Sequence, residues 1–514
     1  MRRVVLLLLG TLILGCPQTD DDDTAVDDDD TTVDDDDTGD DDDSGDDDDT
    51  TGDDDDSTPA PTTTLELLSP SDSATLDGFV TVTVAVDGDG PGILEVHLDS
   101  ELVHQGFASV ATGQLVKELD TGAWPDGTYT LTASAPAWGL QDSVTITLAN
   151  GDLLEYDLGT VTYEWLPANP TPLPLTLFDS AVSLQPMTWA ADSAPYQALA
   201  GFALNPDGDW AVGGATTSIY LTGAAGAAPW AANIPNHPNV PWLTGSYNLY
   251  PWADEGMDGE DLSVTAVVKR SFEPVEAGLL HLDFYFVSGV AETAASAPGS
   301  SNMQGFLDAL ESVYLQANLG LGDVRYFDLP AGSFLNIDDY DELTELFAQA
   351  PSTNDRVLNV FVVEDLDMPS SNPLGVASHI PGPSLVNGSR QSGVAIVDQY
   401  IQSGESGTAA ALAAHEIGHY LGLTHSSEIG GNTHDQLDDT VTSCNSGGCW
   451  ETNLMDPYLY GSTDISPDQG WVMLRHPLVE LVPASALPAR SARWFDGADG
   501  LDGPVIGFCG TGAP

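Results

Sequence analysis

His415, Glu416, His419, Gly422 and His425 stand in the order H-E-x-x-H-x-x-G-x-x-H within the stretch 408–425, TAAALAAHEIGHYLGLTH. Residues four apart share one face of a helix, so His415 and His419 can aim at one metal ion. Gly422 tolerates backbone angles closed to other residues and can turn the chain so that His425 returns as a third ligand. Three neutral imidazoles and one open position suit a catalytic zinc rather than a structural one. Such a site brings a bound water toward neutral pKa and polarises a carbonyl, and Glu416 is placed to take the proton as general base. The chemistry that fits is hydrolysis of a peptide bond. A core helix with satisfied histidines is the plainer alternative, but Glu416 beside three spaced histidines is costly to bury without a metal.

A twisted mixed sheet with packed helices is expected to carry this stretch, over 278–485. Leu280 to Val287 reads as a strand, and Met303, Phe306, Leu310, Val313 and Ala317 share a helical face. Strands follow at 324–329 and 357–363 with a helix at 340–348 between them, then short strands at 374–378 and 393–397. Upstream the chain reads as all-β. In 62–150, Phe79 to Val86, Ile93 to Val103, Tyr129 to Ala135 and Val144 to Leu148 alternate apolar and polar residues, with turn signals such as Asp126-Gly127. That pattern suggests an antiparallel sandwich. A second β-rich domain, 151–277, carries the strand signal Leu262 to Lys269, and its role stays open between spacer, substrate-binding module and covering prosegment. The fold class is thus multidomain: two N-terminal β domains, then a C-terminal α/β domain, with 486–514 as a tail.

Residues 1–16 read as an export signal, with Arg2 and Arg3 before an apolar run too short to span a bilayer. Residues 17–61 hold six runs of four aspartates, 24 of the 81 acidic residues, and read as a disordered, extended stalk. The net charge of -70 excludes a nucleic-acid partner, since phosphate would be repelled. Export makes disulfides possible: Cys444 and Cys449 could close a small loop, and pairing of Cys509 with either is also open. The remaining histidines, among them His237, His379, His434 and His476, read as surface or strand filler, with His434 near the site in sequence.

The histidine motif resembles that of the metzincin metallopeptidases, and Asn453-Leu454-Met455-Asp456 resembles their methionine turn. Several segments are similar to the pappalysin and ulilysin branch. Leu374 to Ala377 with Pro381-Gly382 resembles its upper edge strand and turn, 434–441 (HDQLDDTV) its segment after the motif, and Ile465 to Gln469 with Met473 its closing helix. Ser466 is a good N-cap and Pro467 a good first helical residue. The resemblance implies His415, His419 and His425 as zinc ligands, Glu416 as base, Met455 as the floor of the site, and Gly375, Val376 and Ala377 as the strand that holds a peptide. It implies calcium at Asp435, Thr440 and the Leu437 carbonyl, and Asp464 as a selector of basic side chains. Many members place a tyrosine two residues after the turn methionine; Pro457 stands there, and Tyr458, one later, is the candidate oxyanion partner. Trp124 to Leu131 resembles a late-strand segment of bacterial immunoglobulin-like domains, and Ile13 to Cys16 resembles a lipobox, which implies a lipid anchor on Cys16, no transmembrane helix in the mature protein, and an outer-membrane, surface-exposed location. The expected partners are protein or peptide substrates and a membrane. The rival class is a surface-binding or adhesion lipoprotein that keeps the metal site without activity, against which the intact Glu416 argues.

Overall fold

The computed structural model describes residues 64–87, 92–108, 112–164, 171–190, 198–212, 229–253, 258–330, 334–368, 372–428, 434–440, 452–458 and 462–487. Cys16, the aspartate runs, Cys444, Cys449 and Cys509 lie outside them. The described part is mostly β-sheet, in several sheets with few helices, and among the described residues no helix is long and apolar enough to cross a membrane.

Two sheets close over one core in the first β region. One has three strands, 64–69, 79–87 and 112–120; the other runs 74–76, 140–148, 127–135, 92–98, 101–108. Alternation puts Val82, Val84 and Val86 of the first sheet against Leu94, Val96 and Leu131 of the second, all buried. The run expected as one strand from Ile93 to Val103 is two, paired antiparallel. The chain reverses at Asp99, whose φ of 51° lies in the left-handed region that Asp tolerates in tight turns.

The second β region repeats the plan. Strands 173–177, 245–253, 198–204 and 210–212 form one sheet, and 230–231, 181–190, 261–270 and 153–162 the other. Leu184, Tyr247, Leu249 and Val268 are buried between them.

Downstream, the sheet order is 319–328, 277–286, 358–363, 394–397, 375–377, parallel except for the antiparallel last strand, and Val479–Val482 adds antiparallel to 277–286. Central strands such as Leu358–Val363 are buried on both faces, as a sheet covered by helices requires. The helix Ser301–Tyr314 starts at Ser300, whose hydroxyl accepts from the Met303 amide; such a cap is worth about 1 kcal/mol. Its apolar face, Met303, Phe306, Leu310 and Val313, is buried against the sheet and against the helix Ser406–Tyr420. The latter is buried from Ala409 to Tyr420, and its run of alanines allows close approach on several sides. Ser466 caps the helix Pro467–Met473 in a full capping box with Gln469, as the local sequence predicts.

Candidate active site

The helix Ser406–Tyr420 carries His415, Glu416 and His419 into the interior, and all three are wholly buried or nearly so. Gly422 follows with a φ of +107°, and the Leu423 amide bonds back to the Gly418 carbonyl at 2.9 Å. This turn returns His425 to the other two. Nitrogens of His415, His419 and His425 all lie within 4.8 Å of one another, and the Nε2 atoms of His415 and His419 are 3.0 Å apart. Each Nδ1 is occupied elsewhere: His415 by the Leu454 carbonyl at 2.7 Å, His419 by the Leu423 carbonyl at 2.7 Å, His425 by the Glu428 carboxylate at 3.3 Å. The Nδ1 atoms thus carry the protons, and the Nε2 lone pairs converge. The His425 Nε2 is buried without a hydrogen-bond partner. A cation fits these donors, because each imidazole has its other nitrogen already occupied.

Burial keeps the His415 and His419 imidazoles neutral. It pushes His415 down to about 3, with His425 alongside adding to the shift, and holds His419 well below its ordinary value. Glu416 moves the other way. Burial pushes its carboxyl up to about 8, with the nearby Ala377 backbone pulling weakly downward, and neither carboxylate oxygen has a hydrogen-bond partner of normal geometry. The buried Glu416 carboxyl thus stands beside three convergent imidazoles, and strongly perturbed groups of this kind gather at functional sites.

The other candidate residues fall around this centre. Gly375, Val376 and Ala377 form the antiparallel strand at the end of the sheet. A Cβ on Gly375 would lie 2.6 Å from the Glu416 Cγ, so the edge strand rests directly on the candidate base. Met455 is fully buried below the helix, its Sδ 2.9 Å from where a Gly418 Cβ would stand. Asp435, Leu437 and Thr440 come together: the Thr440 hydroxyl donates to the Asp435 carboxylate and to the Leu437 carbonyl. Asp439 turns away to cap the closing helix, accepting from the Ser466 hydroxyl at 2.7 Å and the Asp468 amide at 2.8 Å. Asp464 is exposed, and its carbonyl accepts from the Leu454 amide at 2.7 Å, which ties its backbone to the methionine turn. Tyr458 follows that turn half-buried, its amide bonded to the Asp456 carboxylate at 2.8 Å.

Glu428 escaped the sequence reading. Its signal was a carboxylate three residues past His425, which a search for histidine partners would have found. The reading of His237, His379 and His476 as filler also needs correction. All three are buried, and His476 faces the second β region rather than solvent: its Nε2 lies 3.2 Å from the Gln185 amide nitrogen. Burial by a partner so distant in sequence leaves no local trace.

Residues 344–463 match the model of the peptidase family M43, described as pregnancy-associated plasma protein-A. No curated protein matches the chain. Solved structures with similarity include an engineered protein, at 23% identity over 18% of this chain and 21% of that one, TM-score 0.14. The chain thus spans about a fifth of that protein's length. Others are the fibronectin(III)-like modules of Clostridium thermocellum CbhA (13% identity, 17% of this chain, 95% of that one, TM-score 0.13) and a SusE-like protein (13%, 40%, 96%, 0.14). At such scores they decide neither fold nor function. The family match, lying across the three-histidine cluster, supports a metallopeptidase.

Proposed function

We propose that this chain is a zinc-dependent endopeptidase acting on proteins or peptides outside the cell, with His415, His419 and His425 as ligands and Glu416 as general base. The observation that carries the proposal is the convergence of three imidazoles on one point beside a wholly buried carboxyl. His415, His419 and His425 would hold the zinc, which would supply Lewis acidity to a water and to the scissile carbonyl. Glu416 takes a proton from the attacking water as its oxygen bonds to the carbonyl carbon. It then delivers that proton to the amine nitrogen as the C–N bond breaks. The strand Gly375–Ala377, last in its sheet among the described residues, would receive an extended peptide as an added antiparallel strand. Burial excludes competing water from around Glu416 and strengthens each charge interaction there.

The proposal includes calcium at the Asp435–Thr440 loop and a lipid anchor on Cys16. Calcium that raises neither the melting temperature nor protease resistance would remove the first. A Cys16→Ser form that still partitions into membranes would remove the second.

The test of the main reading is zinc content and cleavage of casein and a mixed peptide library, with and without Glu416→Ala. The expected result is one zinc per chain in both forms and cleavage only by the parent. Full zinc occupancy with no peptide cleaved by the parent would sink the peptidase reading.

A further inference from the structure

The peptidase reading leaves the second β region, 151–277, without a role. Its contacts fall on the backbone that ends two helices of the catalytic region. Helix C-termini leave carbonyls without intrahelical partners, and these need donors from elsewhere. The Asn233 Nδ2 donates to the carbonyl of Leu421, the C-cap of the ligand-bearing helix, at 3.5 Å. It also lies 2.9 Å from where a Cβ on Gly422 would stand, so Asn233 packs directly on the turn that returns His425. The Asn233 Oδ1 is held by the Gln185 amide at 2.9 Å. Gln185, fully buried, also donates to the Gly382 carbonyl at 3.1 Å and accepts from the Ser384 amide at 2.9 Å. Lys269, fully buried, donates from Nζ to the carbonyls of Leu474 and His476 at 2.7 and 2.9 Å, which closes the end of the helix Pro467–Met473.

We propose that the second β region is a fixed brace of the catalytic unit, and that Asn233 is a positioning residue for the third metal ligand, His425. A spacer would touch its neighbour through few buried groups. A removable prosegment would be released without cost to the metal site. Here the side chains of Gln185, Asn233 and Lys269 are buried and paired with main-chain groups across the boundary, so each would lose a partner if the geometry shifted. Lys269 strengthens the point, since its wholly buried amine donates to two carbonyls that the other region supplies. The brace thus holds the Leu421–Gly422 turn where the helix's own hydrogen bonds end.

This inference rests on His425 as a ligand, so its test reads zinc binding and association rather than peptide cleavage. In the first arm, the affinity of the full chain for Zn2+ is measured by chelator competition for the parent, Asn233→Ala and Asn359→Ala. Asn359 is a buried amide of the catalytic sheet, bonded to Asn387 and the Ser392 carbonyl, and controls for lost stability alone. The expected result is about tenfold weaker zinc binding for Asn233→Ala, the loss typical of disturbed support around a ligand, and an unchanged value for Asn359→Ala. Equal zinc affinity in all three forms overturns the positioning role. The second arm needs no destabilising variant. A recognition site for a specific protease is placed at Glu273, in the exposed segment 272–274, and cut after folding. The two pieces are expected to co-elute and keep their zinc. Separation with zinc retained on the C-terminal piece would make 151–277 a spacer or a releasable prosegment, and overturns the brace. Peptidase activity absent in every form would defeat the function proposed above and leave both readouts intact.

Discussion

The Glu428 carboxylate lies 3.3 Å from the Nδ1 of His425, whereas the Nδ1 atoms of His415 and His419 meet backbone carbonyls. One of the three candidate ligands is therefore oriented by a charge and two by neutral dipoles. A carboxylate behind an imidazole raises its basicity and holds its tautomer, which strengthens its hold on a metal. Glu428→Gln is expected to weaken Zn2+ binding about tenfold while leaving the fold intact. Chelator competition at fixed pH checks this, and an unchanged affinity would show the pair to be incidental.

The contact between Gly375 and Glu416 sets a second expectation. A methyl group at Gly375 would stand 2.6 Å from the Glu416 Cγ and 2.9 Å from its Oε1. Gly375→Ala must push either the edge strand or the carboxyl out of place. Misplacing a catalytic group by about 1 Å can cost on the order of a hundredfold in rate. The variant should keep full zinc occupancy and lose kcat by at least about tenfold. Steady-state kinetics with a peptide substrate, beside metal analysis, would expose the error if kcat stayed at the parent value.

Gly418 lies inside the ligand-bearing helix, where alanine would ordinarily stabilise by roughly 0.5–1 kcal/mol. Here its Cβ would meet the Met455 Sδ at 2.9 Å, and overpacking of a core costs about 1–3 kcal/mol. The steric term is the larger, so Gly418→Ala should lower the melting temperature. Because the crowding is with one flexible side chain, a cycle with Met455→Leu should be non-additive by at least about 0.5 kcal/mol. Calorimetric melting of the four forms measures both, and strict additivity would refute the contact.

Acid should weaken the metal-free protein through its buried histidines. His379 and His476 are wholly buried, and burial pushes them down to about 4 and about 3. Imidazoles in the unfolded chain titrate near 6.5, so between pH 6.5 and 4 the unfolded state binds protons that the folded state refuses. Stability therefore falls as pH drops through that window, with His379 alone responsible for about 3 kcal/mol. The melting temperature of chelator-treated protein should decline from pH 6.5 to 4.5, and His379→Asn should flatten part of the slope. A flat profile over that range would contradict the burial argument.

Much of this chain was legible in sequence because the relevant contacts are local. The spacing of His415 and His419 is a helical repeat. The strands at 79–87 and 358–363 follow from alternation and from a run that is apolar but for Asn359. Ser466, Pro467 and Gln469 encode their capping box within four residues. The hairpin at Asp99 was missed, because the apolar alternation continues on both sides of a two-residue reversal that only the backbone angle reveals.

The sequence by itself determined which residue types could gather a metal and which segments would be strands or helices, since both depend on neighbours within one or two turns. Only the tertiary structure decided what stands behind them. Asn233 reaches Leu421 across 188 residues, Gln185 reaches Gly382 across 197, and Lys269 reaches Leu474 across 205. Gly375 meets Glu416 only because an edge strand and a buried helix are packed face to face. Such contacts are selected by the burial of whole surfaces, and no periodicity in the chain records which carbonyl a buried amide will find.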